Sequence, residues 1–293
     1  MLMIQMSGGL GNQMFYYALY KALQETGKEV TIDDFTHYED IGRKDNQLQE
    51  IFPLVYKQGT REDYMKLTDS SFFPLQRIRR KLMGRKDHTY REKNAHIFEE
   101  SVFELDHRYL EGYWQSQKYF NNVIGTLRQD FLFDWTSFPK KAIQYRDEMQ
   151  KTKSVSMHVR RGDYLYPQFS GLYGGICTEA YYETAMRWFI QKLGNCTFYL
   201  FTDDKEWGKK QERTNVVLVD CTDATNAYID MALMSCCKHH IIANSSFSWW
   251  GAWLNHNSDK YVCAPNKWLN QSDGQDIFYG LCNVRIDEKG IVR

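Results

Sequence analysis

The sequence predicts an α/β chain of two domains, the second built on a doubly wound parallel sheet. Three observations carry this. After Gln150, short β-branched and aromatic runs alternate with amphipathic helical stretches, the pattern of strands joined by right-handed helical crossovers. The first thirty residues run strand, glycine turn, helix, strand. Finally, 293 residues outgrow a single hydrophobic core, so two domains are drawn, at residues 1–150 and 151–293.

In the opening unit, Leu2, Ile4 and Met6 alternate as in a strand, and Ser7 to Asn12 reads as a tight turn. Met14, Phe15, Ala18, Leu19, Ala22 and Leu23 recur at helical spacing, with Gly27 as the stop and Val30 to Ile32 as the next strand. Residues 35–150 are less regular and contain the basic run Arg77, Arg79, Arg80, Lys81, Arg85, Lys86. That run reads either as a solvated helix face or as a patch making peripheral contact with a membrane or a lipid-linked or anionic acceptor.

The second half is clearer. Val155, Met157 and Val159 alternate in a strand that runs into Gly162. Tyr181, Tyr182, Ala185, Met186, Phe189, Ile190 and Leu193 mark a helix begun by Thr178 and Glu179. Residues 197–201, 216–219 and 240–243 give three further strands.

Composition narrows the function classes. The chain is 43% hydrophobic and 25% charged, which is enough apolar surface to fold. Lys+Arg and Asp+Glu are equal at 37 each, so no global field gathers nucleic acid, and any anion site is local. Seven cysteines without a C-x-x-C pair suggest neither a disulfide framework nor a zinc site, and fit a reducing cytoplasm. The start lacks a basic n-region and reaches glycine after seven residues, so neither a signal peptide nor a transmembrane segment is expected.

Ligands of open parallel sheets bind outside the carboxyl ends of the strands, where three polar clusters collect. One strand ends in His158-Val159-Arg160-Arg161-Gly162-Asp163, a second in Thr202-Asp203-Asp204, a third in Asn244-Ser245-Ser246. Strand alternation places His158 and Arg160 on one face, so that Arg160 is able to grip a diphosphate through its planar fork of donors. Arg161 then points away, towards an internal ion pair such as one with Asp163; structural pairing of both arginines is the alternative. Asp203 and Asp204 read as acceptors for the N1 and N2 donors of guanine, as a helix N-cap or as part of a metal motif. Ser245 and Ser246 read as a helix cap, a position that also aims backbone N–H groups at phosphate. Trp249, Trp250 and Trp253 have helical spacing and read as core, with sugar stacking as the alternative.

Gly8-Gly9-Leu10-Gly11-Asn12-Gln13-Met14-Phe15, His158 to Tyr164, Phe201 to Asp204 and Asn244 to Trp250 follow one another in a set order. Together they closely resemble the family 11 glycosyltransferases, the α-1,2-fucosyltransferases, over most of residues 8–254. The resemblance implies a two-domain GT-B-like fold, with donor on the C-terminal domain and acceptor entering an interdomain cleft. It also implies GDP-β-L-fucose as donor, the 2-hydroxyl of a galactoside-containing glycan as acceptor, inversion at the anomeric carbon, and no required metal or other cofactor. By the same carry-over Arg160 contacts the diphosphate, His158 and Asp204 address guanine, Ser245 and Ser246 line the phosphates, and Gly9, Asn12 and Gln13 face the cleft. Inversion also needs a group to take the acceptor proton. Asp163 is the nominal candidate, with a structural role as an arginine partner as its alternative. Two other readings stay open: transfer of a different sugar from a nucleotide donor, and a nucleotide- or glycan-binding protein without catalysis.

Overall fold

The computed structural model describes residues 1–42, 46–162, 167–271 and 274–293, with the side chains of Gln168 and Phe169 also outside the description. The chain divides into two α/β units, Met1–Phe131 and Leu132–Arg293. The division therefore falls before the boundary drawn at residue 150. Helix Lys140–Lys151 belongs with the second unit because its few apolar side chains, Ala142 and Met149, are buried against Tyr199, Phe201 and Leu233.

In the first unit, β1 (Leu2–Gln5), β2 (Val30–Asp33), β3 (Thr89–Arg91) and β4 (Arg108–Glu111) form a parallel sheet ordered β2-β1-β4-β3. Helices α1 (Leu10–Glu25), α2 (Thr36–Asp40), α3 (Gln47–Ile51), α4 (Arg61–Thr68), α5 (Pro74–Met83) and α6 (Ile124–Asp130) complete it. Helix α1 is buried along most of its length, including Met14, Phe15, Tyr16, Ala18, Leu19 and Leu23. This breadth of burial explains why its apolar positions exceed a single stripe. The turn into it needs glycine at residue 8, where φ is +70° and a Cβ would come within 2.6 Å of Asn12 Nδ2.

The second unit contains β5 (Ser154–Val159), β6 (Thr197–Thr202), β7 (Val216–Leu218), β8 (His239–Ile241), β9 (Val262–Pro265) and β10 (Val284–Ile286). All neighbouring pairs are parallel, in the order β10-β9-β8-β5-β6-β7. Its helices are α7 (Lys140–Lys151), α8 (Pro167–Tyr173), α9 (Glu179–Leu193), α10 (Lys205–Lys209), α11 (Tyr228–Cys236) and α12 (Ser246–Trp253). Counted from β5, the order is third, second, first, fourth, fifth, sixth, as in dinucleotide-binding sheets. The chain builds outward through β6 and β7, then returns to the other side of β5 with β8. That reversal makes the carboxyl ends of β5 and β8 the topological switch point, where such sheets hold ligands.

The sheet is packed on both faces. Val155, Met157, Tyr181, Phe189 and Phe198 form one layer, and Met149, Tyr199, Phe201, Ile229 and Leu233 the other. Trp249, Trp250 and Trp253 are buried. The Trp249 indole donates to the Ile277 carbonyl at 2.6 Å, so these rings are core and the sugar-stacking alternative is set aside.

Candidate active site

Three loops meet the carboxyl edge of the second sheet. Strand β5 stops at Val159, and the backbone beyond it is held by one carboxylate. Asp203 Oδ1 accepts the Arg161 N–H at 3.0 Å, and its Oδ2 accepts the Gly162 N–H at 3.0 Å. A Cβ on residue 162 would lie 2.6 Å from Asp203 Oδ2, so this approach requires glycine. Arg160 Nη1 stands 3.3 Å from the same oxygen, with 35% of its side-chain surface exposed.

Asp204 has a separate task. It is the N-cap of α10, accepting the Trp207 N–H at 2.9 Å, and it takes Arg161 Nε at 3.1 Å. The Trp207 N–H and then Arg161 hold its carboxyl below the usual carboxylate range. The Arg161 guanidinium also lies 4.7 Å from the Trp207 ring centroid. Arg161 is thus ion-paired as expected, but with Asp204. Asp163, the partner and base candidate suggested by the sequence, lies outside the described residues. Asp203 and Asp204 are engaged by arginines and backbone N–H groups. Among the described residues no group of three or more His, Cys, Asp or Glu side chains is arranged to hold a metal.

His158 is 5% exposed, and its ring centroid lies 5.8 Å from that of Phe247 on α12. Burial, reinforced by the Arg160 charge, pushes its pKa down to about 3, so the imidazole is neutral at ordinary pH. Its buried Nδ1 has no hydrogen-bond partner. A buried polar atom left in this condition at a switch point is suited to a ligand group. The expected sharing of a face by His158 and Arg160 is corrected here. His158 turns towards α12, whereas Arg160 and Arg161 both line a cavity of about 340 Å³ with Val159, Glu183, Trp207 and Asn244. The strand ends at Val159, so its alternation does not extend through Arg160.

At the third loop, Ser245 is the N-cap of α12 without a capping bond from its side chain, and Ser246 opens the helix. Asn244 fixes this turn by donating to the carbonyls of Tyr173 and Trp268 at 3.3 and 3.1 Å. Tyr182 adds a brace by donating to the His158 carbonyl at 2.9 Å. Sequence reasoning placed Asn244 in the third polar cluster without a role and left Tyr182 out of the site. Asn244 stood inside a quoted motif, but Tyr182 looked like one apolar position among several on α9.

The glycine turn of the first unit separates into different roles. Gly9 is exposed, caps α1 and has open space where a side chain would be. Asn12 accepts from Gln115 Nε2 at 2.8 Å. Gln13, expected to contact donor, is fully buried: its Nε2 donates to the Gly8 carbonyl and Tyr38 hydroxyl, and its Oε1 accepts the Leu48 N–H. These bonds brace the turn, with Gln13 buried and Gly9 and Asn12 more exposed.

Sequence reasoning also missed Glu92, which follows β3 and accepts the backbone N–H groups of Tyr113 and Trp114 at 2.7 and 3.3 Å. Burial raises its pKa from 4.5 to about 7, against the pull of those two N–H groups. The folded protein therefore holds this proton more tightly than the unfolded chain. Its stabilising effect is complete below about pH 4.5 and is lost as pH rises through about 7. Across that window the Glu92 contribution to unfolding free energy is expected to fall by on the order of 1–3 kcal/mol. Urea unfolding of the protein and of Glu92→Gln over the window checks this, since the glutamine variant should lose that part of the pH slope.

Two α/β units on parallel sheets, the second with arginines at its carboxyl edge, give the chain a GT-B-like fold. The profile described as glycosyl transferase family 11 matches residues 1–279, and the chain belongs to that family. It is 30% identical to the α-1,2-colitosyltransferase of Escherichia coli over 278 residues, covering 92% of each chain. It is 25% identical to galactoside α-(1,2)-fucosyltransferase 1 of Saimiri boliviensis boliviensis over 162 residues, which is 52% of this chain and 44% of that one. In fold it resembles the crystal structure of NodZ α-1,6-fucosyltransferase co-crystallized with GDP. The TM-score is 0.50 at 13% identity, covering 100% of this chain and 97% of the other.

Proposed function

We propose that this glycosyltransferase moves L-fucose from GDP-β-L-fucose, with inversion, to the 2-hydroxyl of a terminal β-galactoside. The observation that carries the reading is the pairing of Arg160 with Asp203 beside a cavity at the carboxyl edge of β5. A partly exposed ion pair is worth about 0–1 kcal/mol, so exchanging the carboxylate for a diphosphate costs little. As the anomeric C–O bond stretches, negative charge grows on the β-phosphate, and Arg160 together with the N–H groups opening α12 neutralises it. Cationic side chains then do the work of a divalent ion, and transfer proceeds in the presence of a chelator.

His158, neutral and with a buried ring nitrogen to offer, addresses the guanine. Asp204 joins it only by exchanging Arg161 or the α10 cap for the base. Ser245 and Ser246 line the phosphates, with Gly9 and Asn12 as further donor contacts. Asp163 is retained as the candidate to remove the acceptor proton.

The α-1,2 linkage is supported by the names of both sequence relatives reported above. The 30% identical relative favours a second reading, in which the transferred sugar is colitose. Incubation with GDP-fucose, GDP-colitose and UDP-galactose, each with lactose, separates the readings. The expected result is an α-1,2-fucosylated product, determined by NMR and unaffected by EDTA. Preferential transfer from GDP-colitose would establish the second reading, and GDP binding with no transfer from any donor would leave a non-catalytic binder.

A further inference from the structure

Helix α5 is amphipathic but mounted the unusual way round. Its arginines hold it to the protein: Arg79 and Arg80 pair with Asp69, and Arg80 also donates to the Ser71 carbonyl. Just beyond the helix, Arg85 Nε donates to the Thr68 carbonyl at 3.0 Å and the Lys86 N–H to Asp69 at 2.8 Å. The apolar side turns outward. Leu75, Ile78 and Leu82, spaced by three and four residues, are 80%, 55% and 79% exposed. Phe72, Phe73 and Met83 extend the apolar ridge at 84%, 71% and 70% exposure, and no residue of α5 is buried.

Six large apolar side chains standing in water on one narrow element mark a contact surface. Charge decides what it contacts. Between Asp69 and Asp87 there are six cationic residues and no carboxylate; Arg79 and Arg80 pair with Asp69 and Arg85 lies 3.8 Å from Asp87, while Arg77, Lys81 and Lys86 stand exposed. A second copy of this chain would bring two such cationic helices together, which like-charge repulsion opposes. An anionic bilayer surface satisfies both features, because apolar side chains enter the headgroup boundary while flanking Arg77, Lys81 and Lys86 meet lipid phosphates.

We infer that α5 docks the first unit onto an anionic lipid surface as an in-plane helix, bringing the enzyme to acceptors carried there. Among the described residues no helix is long and apolar enough to cross a membrane, so the contact is peripheral. Vesicle binding, which does not depend on donor identity, is the deciding measurement.

The full chain is co-sedimented with vesicles of phosphatidylglycerol and phosphatidylethanolamine, and with vesicles of phosphatidylcholine. Expected is binding to the anionic vesicles that is about tenfold weaker on the neutral ones and weakens with salt. Leu75→Ser/Ile78→Ser/Leu82→Ser and Arg77→Glu/Lys81→Glu should each lower binding about tenfold, with unchanged circular dichroism and unchanged transfer to a soluble acceptor. Wild-type protein remaining in the supernatant with anionic vesicles overturns the inference. So does undiminished binding by the triple serine variant. A wild-type dimer that this variant converts to monomer in sedimentation equilibrium would mean that a second copy covers the helix.

Discussion

Arg160→Ala is expected to lower transfer by on the order of 10²–10³ in kcat, the usual effect of deleting one preorganised donor aimed at developing negative charge. Fold and thermal unfolding should change little, because the side chain is 35% exposed and its ion pair with Asp203 spans 3.3 Å. Arg160→Lys should recover only a small part of the loss, since an ammonium lacks the planar fork that meets two phosphate oxygens. Steady-state kinetics with GDP-fucose and lactose, alongside GDP binding by calorimetry, check both variants. Near-normal turnover by either would remove Arg160 from the chemistry. A loss confined to KM would assign it to ground-state binding alone. Asp203 must stay in place for this comparison, because it also holds the backbone of Arg161 and Gly162.

Trp249→Ala carries the largest expected effect on stability, about 3–5 kcal/mol. The ring is fully buried, packed edge-on against Trp250 at 5.0 Å and parallel to Trp253 at 6.4 Å. Truncation removes that contact area, opens a cavity and leaves the Ile277 carbonyl without its indole donor. Trp249→Phe keeps most of the apolar volume and should cost much less. Denaturant midpoints at constant slope check the pair. Because α12 begins at Ser246, beside the proposed phosphate contacts, the alanine variant should lose donor affinity at temperatures where it is still folded. Equal stability of Trp249→Ala and wild type would mean that the three-tryptophan cluster does not hold α12 in place.

Much of the second unit was readable from period and punctuation. Strands β5 and β6 announced themselves because β-branched and aromatic residues alternate there between helix stops, and α9 because its apolar positions share one face. Residues 35–150 were opaque for physical reasons. Helices α2 and α3 are five residues each, too short to show a 3.6-residue period, and β3 is three residues. Helix α5 shows its period clearly, but the apolar stripe faces water, an orientation that pattern alone does not reveal.

Within the site, residue types were legible and partners were not. The two arginines and two aspartates were recognisable as a charged rim, yet the assortment of Arg160 with Asp203 and Arg161 with Asp204 depends on the side-by-side register Val159↔Thr202. The bracing role of Gln13 was not legible, because its side-chain bonds to Gly8, Tyr38 and Leu48 form through tertiary packing. Glu92 offered no motif, and its raised pKa comes from burial, with the Glu99 charge adding to it.

The return of the chain to the middle of the second sheet also sets an order of assembly. Strands β5 and β6 meet after one helical crossover, but Val155 finds His239 only when α10, β7 and α11 have been laid down between them. Such distant pairing closes late, since the intervening segment must first surrender its freedom. A ribosome-bound fragment ending before β8 would have the arginine-bearing loop but lack Asn244 and the start of α12, so the proposed donor site should be completed only late in synthesis.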